Sequence, residues 1–104
     1  MTPDHFTGLL AERIMGWAVG PERFLLGGRK WIRRSRFRPM EKLEDALRLL
    51  EAAAPQEYSI EGDETGTTRV RLRIAGTEGE ATETSKPLAV TYAIARAAGI
   101  EVES

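Results

Sequence analysis

A run of six residues near the middle of the chain, Arg69 to Ile74, alternates arginine with an aliphatic residue at every step. Successive side chains of a β-strand point to opposite faces of its sheet, so a strand would separate the three arginines from the three aliphatic residues. A helix would scatter both kinds around its axis. The run therefore predicts a strand with one face against a hydrophobic core and the other toward water.

Two turn-rich segments flank this strand and predict its neighbours. Residues 62–66, Gly-Asp-Glu-Thr-Gly, follow a short alternating run that contains Tyr58 and Ile60. Residues 75–77, Ala-Gly-Thr, precede a further extended run over residues 78–84. Short loops rich in Gly and Asp join adjacent antiparallel strands. The order predicts a three-stranded antiparallel meander.

Charges on the polar face of this meander indicate a register. One arrangement sets Glu57 opposite Arg73, and Arg73 opposite Glu80. Opposite charges directly across a strand pair contribute about 0.2–1 kcal/mol each. We therefore expect the arginines of the central strand to form ion pairs within the sheet rather than to bind a ligand.

Three segments have the apolar spacing of helices. The first covers residues 4–17, and Thr2 is one of its possible N-terminal caps. The second covers residues 40–54. The third, residues 85–98, is apolar almost all round, as expected of a helix buried on most sides, and Gly99 suits its C-terminal cap. With the meander, these segments predict a single α+β domain over residues 1–104, with three helices packed on a mainly antiparallel β-sheet.

The segment between the first two helices has the least regular pattern. The apolar residues 24–26 end at Gly27-Gly28, which we interpret as a turn rather than a phosphate-binding loop, because the spaced glycine and Lys-Ser/Thr pair are missing. Residues 30–33 predict a short strand, and residues 36–38 a second extended piece before Pro39. These pieces could extend the meander.

The composition excludes several classes of site. The chain has no cysteine, which rules out disulfides, iron–sulfur clusters and thiolate zinc sites and suits a reducing compartment. The N-terminus has no basic start followed by an apolar stretch, and no run approaches the roughly 18 apolar residues of a membrane span. We expect a cytoplasmic protein of a bacterial or phage-infected cell, without membrane contact.

No set of residues forms a recognisable catalytic or metal-binding pattern. His5 is the chain's one histidine and lies near the terminus, away from any nucleophile pattern. The acids at 63–64 and at 78, 80 and 83 do not match a calcium loop and suit a solvated turn and a charged strand face. We therefore predict that the protein is not an enzyme and uses no metal and no cofactor.

A basic segment with interleaved aromatic residues is the one candidate binding site. Between Arg29 and Lys42 there are seven basic residues and one acid, whereas the chain from Leu43 onward holds six basic and twelve acidic residues. Cations neutralise phosphates and exposed aromatics stack on bases, so the segment could contact nucleic acid or another anion. The candidate residues are Arg29, Lys30, Trp31, Arg33, Arg34, Arg36 and Arg38.

A structural interpretation of the same segment is favoured over this one. In it, Trp31, Ile32 and Phe37 point into the core, while the charges stay in water or pair with acids. Alternating basic residues are also a means by which edge strands avoid aggregation. Trp17 and Trp31 are accordingly expected to be core anchors.

Several short sequences spread along the chain resemble one known family, the phage ABA sandwich domain family. They are Arg13-Ile14-Met15-Gly16-Trp17, the extended piece at Trp31, Phe37-Arg38-Pro39 before a helix with Ala46, Lys86-Pro87-Leu88-Ala89, and Arg96-Ala97-Ala98-Gly99-Ile100. The resemblance implies a compact, sandwich-like helix–sheet–helix domain of phage or prophage origin, and brings no established activity. Where the family tends to have a Ser-Thr-Asp-like cap, this chain has Met40-Glu41-Lys42, so its second helix lacks an obvious N-cap.

The resemblance and the residues leave one structural and one functional question open. The family name suggests helices on both faces of the sheet, whereas the Arg- and Glu-rich face favours a largely one-sided sheet. The function we expect is that of a non-catalytic phage or prophage accessory protein acting by protein binding or self-association, with an unidentified partner. The alternative is a small nucleic-acid-binding module that uses residues 29–38.

Overall fold

The computed structural model describes residues 2–102. The strands form two separate antiparallel sheets of three strands, ordered β1-β2-β3 and β4-β5-β6, which we name the small sheet and the large sheet. The elements in chain order are α1 (Pro3–Arg13), β1 (Ala18–Val19), β2 (Arg23–Gly27), β3 (Lys30–Arg33), a 3₁₀ turn (Arg34–Arg36), α2 (Leu43–Ala53), β4 (Glu57–Gly62), β5 (Thr68–Ile74), β6 (Thr77–Glu83) and α3 (Lys86–Ala97).

The large sheet confirms the predicted meander, with β5 at its centre. Val70 and Leu72 are buried, and the arginines of β5 are exposed on the opposite face. Glu57 pairs with Arg73 as predicted, whereas Arg73 faces Glu78 on β6 rather than Glu80. The predicted register for β6 was wrong by two residues.

A tight turn explains this difference in register. Thr77 pairs with Ile74, which leaves a loop of only Ala75 and Gly76 between the two strands. Both loop residues have positive φ, 50° and 83°, as the two-residue hairpin turn of type I′ requires. Pairing Arg73 with Glu80 would instead have required a four-residue loop, Ala75 to Glu78.

Helix α3 covers the inner face of the large sheet at β5 and β6, and α2 packs on α3. The start of α3 is capped by Ser85, whose side chain accepts a hydrogen bond from the Leu88 amide. After the end of α3, Gly99 has a positive φ of 77°. The outer face of the large sheet is exposed and carries the ion pairs of its arginines with Glu57, Glu78 and Glu80. The large sheet is therefore one-sided, as its alternating charges indicated.

Helix α2 begins at Leu43, without a side-chain cap from Lys42. The buried carboxylate of Asp45 instead accepts the Arg38 amide at 3.0 Å and so fixes the approach to the helix. The apolar spacing predicts a stripe of Met40, Leu43, Leu47, Leu50 and Ala54, with Ala46 alongside it. Leu50 and Ala46 are buried as predicted, whereas Leu47 is 42% exposed and Leu49 takes its place on the buried face.

Helix α1 is shorter than the segment 4–17 that its apolar spacing suggested. Its start is capped by Thr2, which accepts the His5 amide at 3.2 Å. The helix ends at Arg13, and Trp17 lies beyond it in an aromatic cluster. The ring of Trp17 lies 5.0 Å from that of Phe37 and 5.8 Å from that of Phe24.

Residues 18–33 form a sheet of their own instead of extending the meander. Gly28 and Arg29 make the turn between β2 and β3, and Gly27, the last residue of β2, pairs with Lys30. Both glycines have positive φ, 123° at Gly27 and 60° at Gly28. The predicted strand at residues 30–33 is confirmed. Of the extended piece predicted at 36–38, Arg36 lies in a 3₁₀ turn over Arg34–Arg36, whereas Phe37 has extended backbone, with φ −110° and ψ 101°. β1 has two residues, too few to give a periodic signal.

Candidate binding surface on the small sheet

The two faces of the small sheet have different environments. Phe24 and Ile32 are partners across β2 and β3, and Phe24 is fully buried in the aromatic cluster. Leu25 and Trp31, one residue along on each strand, are partners on the opposite face. There, Leu25 is 44% exposed and Trp31 is 51% exposed. The expectation that Trp31 is a core anchor was wrong, because Ile32 next to it takes the inward position.

Arg23 joins Trp31 on this outer face. The guanidinium carbon of Arg23 lies 5.3 Å from the centre of the Trp31 ring, within the range of a cation–π contact. Arg23 lies outside the segment 29–38, so the basic run did not include it. The inward position of Phe24 is the signal that could have found it, since that position turns Arg23 and Leu25 outward together.

Arg33 is the direct strand partner of Arg23. The Arg34 amide donates to the Glu22 carbonyl at 3.0 Å, which makes Arg23 and Arg33 a pair of the non-hydrogen-bonded type, in which side chains lie closer together. Like charges directly opposite each other destabilise a strand pair. The ion pairs formed within residues 2–102 involve other arginines, so no described carboxylate lies within ion-pairing distance of Arg23 or Arg33. We name Arg23, Leu25, Trp31 and Arg33 the outer-face cluster.

Arg34 and Arg38 both have hydrogen-bond partners within the fold, and the Arg38 side chain is also half exposed. The half-buried Arg34 guanidinium donates to the carbonyls of Gly20 at 3.1 Å and Asp4 at 2.6 Å, and so ties the small sheet to α1. Arg38 pairs with Glu41 at 3.0 Å and donates to a nearby backbone carbonyl. Two of the seven candidate residues therefore have structural partners.

The remaining candidates lie near the outer-face cluster but not within it. Arg29 and Lys30 are exposed at the β2–β3 hairpin tip, and Arg36 is exposed in the 3₁₀ turn. A groove of about 1300 Å³ includes the outer-face cluster, whose four residues all line it, and extends to the start of α1, the β1–β2 turn and the loop after the 3₁₀ turn. Its lining includes Trp31, Arg33, Arg34 and Arg38 of the candidates, together with Arg23 and the acids Asp4, Glu22 and Glu41.

The other titratable residues considered in the sequence analysis, His5 and Asp63 among them, lie on different elements of the fold. His5 is exposed in the first turn of α1. Hydrogen bonds from the Thr65 hydroxyl at 2.6 Å and the Thr67 amide at 3.0 Å lower the pKa of Asp63, whose carboxylate holds its own turn. Within residues 2–102, no three His, Asp or Glu side chains gather as a metal site would require. None of the helices described here combines the length and apolarity needed to cross a bilayer.

Comparison with known proteins identifies the family. Residues 8–95 match the model of the phage ABA sandwich domain. The chain belongs to the phage ABA sandwich domain family. This confirms the resemblance found in the sequence, and the match spans both sheets of the domain and most of α3.

A solved structure supports the fold of this phage ABA sandwich domain. The 2.0 Å crystal structure of a phage protein from Bacillus cereus ATCC 14579 superposes with a TM-score of 0.79, covering 99% of this chain and 93% of that chain. The two sequences are 16% identical, so the likeness bears on the fold alone. No curated protein sequence matches the chain. The α+β arrangement of three helices with antiparallel sheets is therefore confirmed.

Proposed function

We propose that this phage ABA sandwich domain is a non-catalytic accessory protein that binds nucleic acid through the outer-face cluster of the small sheet. The observation that carries the proposal is the half-exposed Trp31, which lies beside two facing arginines. Residues 23–38 contain seven basic residues and no acid, so the local charge suits a polyanion. Phosphate contacts by Arg and Lys supply most of the affinity in such complexes.

The facing arginines favour an anionic partner over an apolar one. The facing side chains of Arg23 and Arg33 repel each other. A phosphate bound between them would offset this repulsion and accept a charge-assisted hydrogen bond from each. Arg29 and Lys30 at the hairpin tip would add positive charge at one end of the same hairpin. The proposal thus assigns the partner by charge and by the exposed aromatic ring.

A protein partner, or a second copy of the chain, is the other candidate function. The exposed side chains of Leu25 and Trp31 favour it, because aromatic residues and arginine are enriched at protein interfaces. Stable interfaces bury about 1,200–2,000 Å² in total, and two partly exposed side chains give only a small apolar centre for one. We therefore place protein binding second.

The proposed absence of catalysis rests on how the reactive side chains are used. The carboxylate of Asp63 is engaged by its own turn, and that of Asp45 by the Arg38 amide. The exposed His5 lies in the first turn of α1, outside the lining of the groove. Labelled DNA and RNA incubated with the protein and Mg²⁺ should remain intact on a denaturing gel. Protein-dependent cleavage that is lost on changing one polar residue would contradict this part of the proposal.

Fluorescence anisotropy with labelled DNA and RNA tests the binding. We expect affinity to fall steeply as the salt concentration rises. Arg33→Ala should weaken binding, and on a single strand it should reduce the slope of log K against log salt by about 0.7 per lost phosphate contact. Arg71→Ala is the matched control, because it removes the same charge from an exposed strand of the large sheet, outside the outer-face cluster. Arg34→Ala is unsuitable here, since Arg34 supports the fold.

Two results would overturn the proposal. One is the absence of binding to any nucleic acid at low salt. The other is binding that Arg23→Ala and Arg33→Ala together leave unchanged. Light scattering on the same samples tests the second candidate: a concentration-dependent dimer that Trp31→Ala abolishes would assign the surface to self-association.

A further inference from the structure

Resting on the proposed function, we infer that the outer-face cluster selects single-stranded over duplex nucleic acid, with one base stacked on Trp31 and a neighbouring phosphate held between Arg23 and Arg33. Arg23, which lies on β2, thereby joins a site that the sequence suggested only on residues 29–38.

The position of Trp31 points to an unpaired base. Its side chain is half exposed on the open face of a sheet, directly across from Leu25, so an aromatic surface meets solvent with an apolar neighbour beside it. Aromatic side chains on a sheet face stack with the flat surfaces of splayed bases, as in the common single-strand-binding modules. The flat faces of the bases in a duplex are covered by their neighbours in the stack, so Trp31 could not stack on them.

The two arginines supply a place for phosphate next to that base. Arg23 and Arg33 project from a close, non-hydrogen-bonded strand pair, and the next pair on the same face is Leu25 with Trp31. Pairs on one face are two residues apart along the strand, about 6–7 Å. A base on Trp31 and its adjacent phosphate at the arginine pair thus match one nucleotide step along the face.

Arg23 links the two halves of this arrangement. Its guanidinium already lies over the Trp31 ring, where it orients the ring and occupies part of one side. A base can then stack on the exposed part of the ring while Arg23 turns a donor toward the phosphate. Arg29 and Lys30, by contrast, lie at the hairpin tip and would contribute charge without sensing whether the bases are paired.

A duplex would use the same face differently. A two-stranded ribbon such as β2–β3 can lie in a major groove, where its side chains meet the edges of paired bases and not their flat faces. Stacking on the Trp31 ring is therefore open only to a strand whose bases are unpaired.

The test compares one labelled 12-nucleotide strand with its own duplex, as DNA and as RNA, at a single low salt concentration. We expect the single strand to bind at least about tenfold more tightly, the loss in affinity that removal of one base stack causes. Trp31→Ala should abolish that preference, and Trp31→Phe should retain most of it. Tyr58→Ala is the control, since Tyr58 is an aromatic residue of similar exposure on the large sheet.

Intrinsic fluorescence gives a second readout of stacking. The single strand should quench tryptophan emission in the wild type, and the quenching should be absent in Trp31→Phe, because Trp17 is buried in the aromatic cluster. Circular dichroism first establishes that each variant folds. Should Trp31→Ala lose its cooperative unfolding transition, Trp31→Thr takes its place, since threonine suits a strand.

The outcomes separate this inference from the proposed function. Equal affinity for strand and duplex, with binding still weakened by Arg23→Ala and Arg33→Ala, overturns the single-strand selection and leaves nucleic-acid binding standing. Single-strand binding that Trp31→Ala leaves unchanged also overturns the inference. Absence of binding to either form, or a protein partner that Trp31→Ala releases, overturns both.

Discussion

Gly79 on β6 lies so close to α3 that a Cβ atom there would stand 2.6 Å from the amide nitrogen of Ala97. It would also overlap the carbonyl oxygen of Ala93, one helical turn earlier. The helix backbone thus rests on the sheet backbone at this point, with no side chain between them. This contact sets the depth at which α3, the most buried helix of the fold, lies in the core.

Gly79→Ala should therefore be strongly destabilising. Two backbone atoms of α3 stand in the way, and backbone yields less easily than the end of a side chain, so the whole helix must move outward. We expect the free energy of unfolding to fall by about 3 kcal/mol, the upper part of the range for overpacked cores. Urea unfolding followed by circular dichroism measures the loss.

A matched glycine on the same sheet serves as the control. A Cβ at Gly62, at the end of β4, would have no heavy atom within 4 Å. Gly62→Ala should change the free energy of unfolding by less than about 0.5 kcal/mol. Similar losses in the two variants would mean that the contact between Gly79 and α3 does not limit the packing of the sheet.

Arg33 and Arg34 are adjacent, and the structure gives them opposite roles. Arg34→Ala removes two hydrogen bonds to backbone carbonyls and the contact of its guanidinium with the Phe24 ring at 5.1 Å. We expect a loss of about 1–2 kcal/mol in the free energy of unfolding. Hydrogen bonds from charged groups contribute more than neutral ones, but the half-exposed position of the Arg34 side chain reduces their contribution. Thermal and urea unfolding provide the measurement.

Arg33→Ala should leave stability nearly unchanged or raise it slightly. It removes one of two facing like charges on an exposed strand pair, so the remaining Arg23 no longer has a repulsive neighbour. Raising the salt concentration should narrow the difference between Arg33→Ala and the wild type, because salt screens exposed charges. A destabilisation equal to that of Arg34→Ala would show that Arg33 has a structural partner after all.

The elements that sequence could predict are those whose signal is local. The alternation of apolar and charged residues predicts β5, and the almost entirely apolar sequence of residues 88–98 predicts a buried α3. Both predictions are confirmed. The register of β6 depended on the length of the loop after β5. That loop has only two residues, and the first of them, Ala75, adopts a positive φ. Periodicity carries no information on that length.

The candidate site could be predicted only in part, because its residues come from two strands. The basic run contained Trp31 and Arg33, but Arg23 joins them through pairing across the β2–β3 hairpin. The direction of Trp31 followed from which residue beside it faces inward, and Ile32 and Trp31 are both acceptable in a core. Burial of Phe24 decided between them, and that is a property of the tertiary structure.

The turn held by Asp63 should make stability depend on pH. Its carboxylate accepts hydrogen bonds from the Thr65 hydroxyl and from the amides of Thr65 and Thr67, and these lower its pKa in the folded state below the usual value of 3.8. The unfolded chain then takes up a proton at a higher pH than the folded chain does. The carboxylate therefore contributes its full stabilisation above the unfolded pKa and loses it as pH falls through the folded pKa.

Asp63→Asn removes this titration while keeping a side chain that suits a turn. The free energy of unfolding of the wild type should exceed that of Asp63→Asn near neutral pH, and the gap should close as the pH is lowered below about 3.8 and the carboxylate protonates. Glu64→Gln, on the exposed neighbouring acid of the same turn, is the control for a general effect of charge. A gap between the wild type and Asp63→Asn that stays constant from neutral pH to strong acid would mean that the hydrogen bonds from Thr65 and Thr67 do not distinguish the ionised carboxylate from its protonated form.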